Sequence, residues 1–210
     1  KLMSAVQTST PAAADFRGPG ELVSSAGLIK WLDKKPAVVS ILGEVGLLMQ
    51  QMASPTANAH LKGLERILLQ VYSKSGHGNI LDPMAYSDKE KNTSAIVSPS
   101  FTLIGESVPE RFYEILDDTM IASGLLPRFM VFEYKGQRVY LKEGTEHIQP
   151  PFALVQKVAD LCAQALTQSH NGQVLNIPFD EASKEQFREF ERWTTDKINE
   201  TRSENIKHLW

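Results

Sequence analysis

Polar residues stand where short apolar runs end, and they carry what chemistry this sequence offers. Glu44 follows AVVSIL, residues 37–42, with only Gly43 between. Glu106 and Ser107 follow FTLIG, residues 101–105, and Arg128 stands directly before FMVFEY, residues 129–134. In an open parallel sheet, ligands bind beyond the carboxyl ends of the strands. A glutamate that orients a water, a polar group on the neighbouring strand and an arginine that reaches phosphate oxygens are parts used in nucleoside triphosphate hydrolysis. An ionised carboxylate is costly to bury without partners. Glu44 therefore faces a site at a strand tip, is solvated in a turn, or heads the following helix, where negative charge is favourable. Ser107 has a simpler role open to it, as the cap of an S-x-x-E box with Glu110 and with Pro109 in the first turn.

The elements that would position these residues are legible from periodicity. Ser24 or Ser25 caps a short helix carrying Leu28, Ile29 and Leu32, which Pro36 ends. Val38–Leu42 has the composition of a strand buried on both faces. Helices are expected over Val45–Met52 and Ala57–Tyr72, the second with Leu61, Leu64, Leu68 and Val71 on one stripe. The polar stretch 73–95 is a long connection with room for a hairpin at Ile80-Leu81. A second strand follows at Phe101–Gly105, then a helix packing Phe112, Ile115 and Leu116. A third strand is expected at Phe129–Tyr134, turning through Lys135-Gly136-Gln137 into Arg138–Leu141. Beyond Pro150-Pro151 come an amphipathic helix over Phe152–Leu166, a short strand over Gln173–Ile177, and a long helix opened by Asp180. The expected class is α/β: a partial parallel sheet with flanking helices and a mostly helical C-terminal attachment. Residues 1–21 read as a loop or arm, 22–149 as the core, and 150–210 as the helical extension.

The 210 residues are 42% hydrophobic and 22% charged, the composition of a globular protein. A net charge of −3 gives no global footprint for nucleic acid, so any polyanion contact has to be local. A single cysteine, Cys162, excludes an internal disulfide framework and fits a reducing compartment. The five histidines show no metal-ligand spacing, so no metal site is expected from them. No apolar run approaches the roughly 20 residues needed to span a bilayer. The chain starts at Lys1 and stops at Trp210 inside a helical pattern, as expected of a piece of a larger protein.

The runs VVSILGEVGLLMQQM, YSKSG, SPSFTLIGESVPERFYEIL and GLLPRFMVFEYKGQR resemble a family of phage and prophage proteins, the primase–helicase-associated ATPases. The resemblance extends from about Leu22 to Trp210, and G-E-S-x-P-E-x-F and G-L-L-P-R-F are its most specific parts. It implies a P-loop NTPase-like core of RecA or AAA+ type, with Val38–Glu44 as the Walker B strand and Phe101–Ser107 as the sensor strand. It implies Glu44 as the water-activating base, Glu106 and Ser107 as sensor candidates, and Arg128 as finger or sensor. It further implies ATP and Mg²⁺ for the intact protein, with neither held tightly by this piece. The implied partners are further copies in a homo-oligomer, a hexamer among the forms, together with DNA and a primase module. The implied location is the cytoplasm of a bacterial host.

Two departures stand against this pattern. G-x-x-x-x-G-K-[ST] occurs nowhere in the 210 residues, and the Asp usual before the Walker B Glu is Gly43. This piece alone is therefore not expected to hydrolyse ATP. In the 73–95 stretch Lys74, His77, Lys89 and Lys91 are candidates for phosphate contact, though Asp82, Asp88 and Glu90 are interleaved with them. The alternative function is a catalytically inactive NTPase-fold domain serving assembly or DNA-binding scaffolding. A metal-dependent nuclease would need more acidic ligands than Glu44 and Glu106 supply.

Overall fold

The computed structural model describes residues 1–85, 92–114, 121, 123–137, 140, 144, 148–170, 175–203 and 207. At the centre, β1 (Ala37–Leu42) and β4 (Ser100–Gly105) run parallel, in register from Ala37↔Ser100 to Leu42↔Gly105. A second, two-residue-wide ladder pairs β2 (Ile80–Leu81) antiparallel with β3 (Ile96–Val97), the hairpin foreseen at Ile80-Leu81. Helices α2 (Ser25–Lys34), α3 (Val45–Ala53) and α4 (Ala59–Ser73) flank the parallel pair, and α5 (Pro109–Glu114) follows it. The class is mixed helix and strand, consistent with α/β.

Local chemistry sets these boundaries. Ser24 Oγ accepts from the Gly27 amide at 3.2 Å to open α2, and Asn58 Oδ1 accepts from the Leu61 amide at 3.0 Å to open α4. The α4 stripe of Leu64, Ile67, Leu68 and Val71 is buried against Leu28, Ile29 and Leu32 of α2 and Met49 and Met52 of α3. Each such side chain contributes about 1.5–3 kcal/mol by leaving water.

β1 is buried on one face only. Val38, Ser40 and Leu42 point into the core, whereas Val39 and Ile41 are 38% and 61% exposed, and Ile104 of β4 is 53% exposed beside them. The expectation of a strand covered on both faces is corrected: the core formed with α2, α3 and α4 takes in Val38 and Leu42 on one face only.

Residues 1–20 are rich in Ser, Thr, Ala and Pro, yet they form α1 (Leu2–Ser9) and a 3₁₀ helix, Pro11–Phe16. The Thr8 and Ser9 hydroxyls bond back to the Ser4 and Ala5 carbonyls at 3.0 and 3.1 Å, which satisfies them within the helix. Val6 and Ala13 are then free to pack on Ala159 and Cys162 of α6 (Phe152–His170), making a second small core. Past it, the Gly18 amide donates to the Val39 carbonyl at 2.9 Å, so the arm lies along the outer edge of β1. A Cβ at position 18 would collide with Ser40 Oγ, which is why glycine stands there.

Two further strand expectations are corrected. Residues 129–134 are unpaired: Leu126–Arg128 is a 3₁₀ turn, and the chain after it runs past β4 without a ladder to it. Residues 175–177 are likewise not strand, while Gln173 and Val174 lie outside the described residues. The hairpin partner Arg138–Leu141 lies largely outside them as well, and so do Ile115 and Leu116. The final helix α7 (Glu181–Glu200) is capped as expected, with Asp180 Oδ1 accepting from the Ser183 amide at 2.7 Å. Phe187, Phe190 and Trp193 along it are exposed.

Candidate functional site

The carboxyl ends of β1 and β4 lie side by side, and two hydrogen bonds lock the turns beyond them. The Glu106 amide donates to the Leu42 carbonyl at 3.3 Å, and the Val45 amide donates to the Glu106 carbonyl at 2.9 Å. Two glycines permit this closeness. A Cβ on Gly105 would stand 2.6 Å from Val45 Cβ, and one on Gly46 would run into the Ser107 hydroxyl. The sequence pattern thus brings Glu44, Glu106 and Ser107 to one rim of the sheet.

Glu44 occupies the left-handed region, φ 49° and ψ 39°, as the residue preceding α3. This region costs a side-chain-bearing residue on the order of 1 kcal/mol. Its carboxylate makes no capping bond, so the helix-cap role open to it in the sequence is not the one it plays. Ser98 is the other non-glycine residue in that region among those described. Its conformation has a local reason: Ser98 Oγ accepts from the Gly78 amide at 3.1 Å, and its own amide donates to Asn79 at 2.7 Å. Glu44 makes no comparable side-chain bond; its carbonyl accepts from the Leu47 amide at 3.0 Å.

Gly43 turns out to have a neighbour. A Cβ built on it would sit 4.0 Å from Glu106 Oε1 and near nothing else. Glu106 Oε1 thus lies at ordinary contact distance from position 43. The chain matches no protein-family model, no curated protein and no solved structure.

Ser107 donates to the Val108 carbonyl at 3.3 Å and packs under Gly46, instead of capping α5. Arg128 is not joined to Glu44 or Glu106. Its guanidinium bonds the Gly124 carbonyl at 2.5 Å and lies 5.2 Å above the Tyr72 ring, a cation–π contact that neither of its sequence neighbours announces. Arg128 and Ser107 line one cleft of about 750 Å³ between β4 and residues 129–134. Lys74 is exposed at the end of α4, and Lys89 and Lys91 lie outside the described residues.

A third polar group was missed from sequence. Tyr113 donates to Glu133 Oε2 at 2.9 Å, and Lys135 Nζ is 3.2 Å from the same oxygen. The Tyr113 bond, followed by the one from Lys135, holds the Glu133 carboxyl below its ordinary value, and the same Tyr113 bond raises the phenol. A separation of twenty residues leaves no periodic signal for this bracket. Among the described residues no group of three His, Cys, Asp or Glu gathers to hold a metal, and no helix is long and apolar enough to cross a membrane.

Proposed function

We propose that this chain belongs to the ATPase core of a phage-type primase–helicase and hydrolyses ATP within an intact oligomer working on DNA. The observation that carries this reading is Glu44: a carboxylate kept in a strained turn at the tip of a parallel strand, without a side-chain partner. Strain of this kind persists where the surroundings impose it, and it clusters at functional sites. Glu44 is the group that accepts or orients the attacking water.

The donor set at the rim suits a hard cation such as Mg²⁺, which prefers carboxylate and water oxygens. Glu106, beside Gly43, and the Ser107 hydroxyl are the residues that would hold it. The ion, when bound, neutralises charge on the phosphate oxygens. Glu106 thereby takes the part left vacant by glycine at position 43. Arg128, which rests on Tyr72, is the arginine assigned as finger or sensor.

The local engagement of Arg128 favours a second reading, an inactive NTPase-fold domain for assembly or DNA scaffolding. ATP turnover by the full-length protein separates the two. Glu44→Gln should lower turnover by about 10²–10⁴-fold, the usual loss for a general base, while nucleotide binding persists. Turnover unchanged by Glu44→Gln removes Glu44 from its proposed role, and turnover absent from the wild type favours the scaffold. Arg128→Ala should reduce turnover only in the oligomer.

A further inference from the structure

Helix α7 carries an aromatic face that stands open among the described residues. None of its residues is buried, and Phe187 and Phe190 are 57% and 61% exposed. The two rings are nonetheless held in place. Phe187 packs on Phe179 with centroids 4.7 Å apart, and Phe190 stacks on Trp193 at 5.8 Å. The opposite face is closed on itself, since Arg188 and Arg192 both pair with Glu185, at 2.9 and 3.5 Å.

The spacing of the open face says what fits it. Asp180, Ser183, Phe187, Phe190, Thr194 and Lys197 follow one another in alternate steps of three and four, the repeat that lays one stripe of a helix against a second helix. Laid antiparallel on a second copy, the stripe matches layer by layer. Phe187 meets the partner's Phe190, and two-fold symmetry repeats that layer. Ser183 meets the partner's Thr194, and Asp180 meets the partner's Lys197. Beside the stripe, Lys184 comes opposite the partner's Glu191. Parallel pairing sets Asp180 against Asp180 and Lys197 against Lys197 instead, and like charges in contact oppose association.

The charges remain available for this. Lys184 and Lys197 each hold one carboxylate of their own helix, Glu181 at 2.6 Å and Glu200 at 2.9 Å, and an ammonium has three hydrogens to give. Only the two central layers are aromatic, so the contact belongs to the small, reversible class of interfaces.

We propose that α7 is a homodimerisation helix: two copies of this chain associate reversibly through antiparallel α7 helices, with Phe187 and Phe190 at the centre and Lys184–Glu191 pairs at the rim. The dimer rests on α7 alone and not on the nucleotide chemistry proposed above, and its test reads no ATP turnover.

The test is sedimentation equilibrium of the 210-residue chain at low salt, from micromolar to sub-millimolar concentration. Wild type is compared with Lys184→Glu, Glu191→Lys and the double variant, all of which change exposed side chains only. The wild type should dimerise as concentration rises. Each single reversal sets like charges together twice and should weaken the dimer by about tenfold, and the double variant should recover it. A monomer at every concentration overturns the proposal. A dimer that neither reversal weakens overturns it as well, because the contact then lies on another face. A double variant as weak as the singles removes the antiparallel register and with it the proposal.

Discussion

The Val45 amide donates to the Glu106 carbonyl at 2.9 Å, so the turn carrying Glu44 is fastened to the tip of the neighbouring strand. Neither residue can shift without the other. The position of Glu44 is thereby set by β4 as much as by β1, through backbone and without a side-chain contact of its own.

The two glycines that allow this contact should be intolerant of a methyl group. Gly105→Ala places a Cβ 2.6 Å from Val45 Cβ, and Gly46→Ala meets Ser107. Each should lower stability by about 1–3 kcal/mol, the range for overpacking, as measured by urea unfolding. Ser107→Ala should recover part of the Gly46→Ala loss and none of the Gly105→Ala loss. Additive effects of Gly46→Ala and Ser107→Ala would show that the two sites are uncoupled.

Ser40 presents the opposite case. Its hydroxyl is fully buried in the centre of β1 and has no hydrogen-bond partner. A buried polar group left unsatisfied costs about 1–3 kcal/mol, so Ser40→Ala should raise the unfolding midpoint. A fall by a similar amount would mean that the hydroxyl is satisfied in solution.

The Tyr113–Glu133–Lys135 bracket predicts a pH window. Glu133 is held below its ordinary 4.5, so its contribution is present above that value and is lost as pH falls through the lowered one. Tyr113 and Lys135 are raised above 10.0 and 10.5, so theirs is present below those values and lost as pH rises through the raised ones. The bracket is thus complete from about pH 4.5 to about pH 10. Ultraviolet titration of the phenolate, with Tyr113→Phe as the reference, should show the Tyr113 midpoint falling on Glu133→Gln. A midpoint that stays in place would dissolve the bracket.

Much of the frame was legible because it rests on local signals. The serine and aspartate caps of α2 and α7, the stripe of Leu64, Leu68 and Val71 and the apolar runs of β1 and β4 fall where the sequence places them, whereas the Asn58 cap of α4 comes from the structure. What was not legible depends on distant neighbours. The arm forms a helix because α6 covers Val6, a fact that no stretch of residues 1–20 contains. FMVFEY has strand composition but stays unpaired, because pairing needs an adjacent edge and a cleft lies there instead. Of the site, the meeting of Glu44 with Glu106 follows from strand ends, whereas the docking of Arg128 on Tyr72 does not.

The relation between Gly43 and Glu106 makes a sharper demand. Gly43→Asp alone should set two carboxylates against each other and lower stability, since like charges at such range disfavour ionisation. Adding Glu106→Gln should restore it, and in the full-length protein the double variant should bind Mn²⁺ as the wild type does. Mn²⁺ binding undiminished in Glu106→Gln alone would remove Glu106 from the metal-holding role.

We propose that Glu44 is kept in its turn for chemistry and at the expense of the fold. Glu44→Gly in the full-length protein, followed by urea unfolding and ATP turnover together, tests it most directly. Glycine enters the left-handed region freely, so stability should hold or rise by up to about 1 kcal/mol, while turnover falls by about 10²–10⁴-fold. Lower stability with turnover preserved would contradict it.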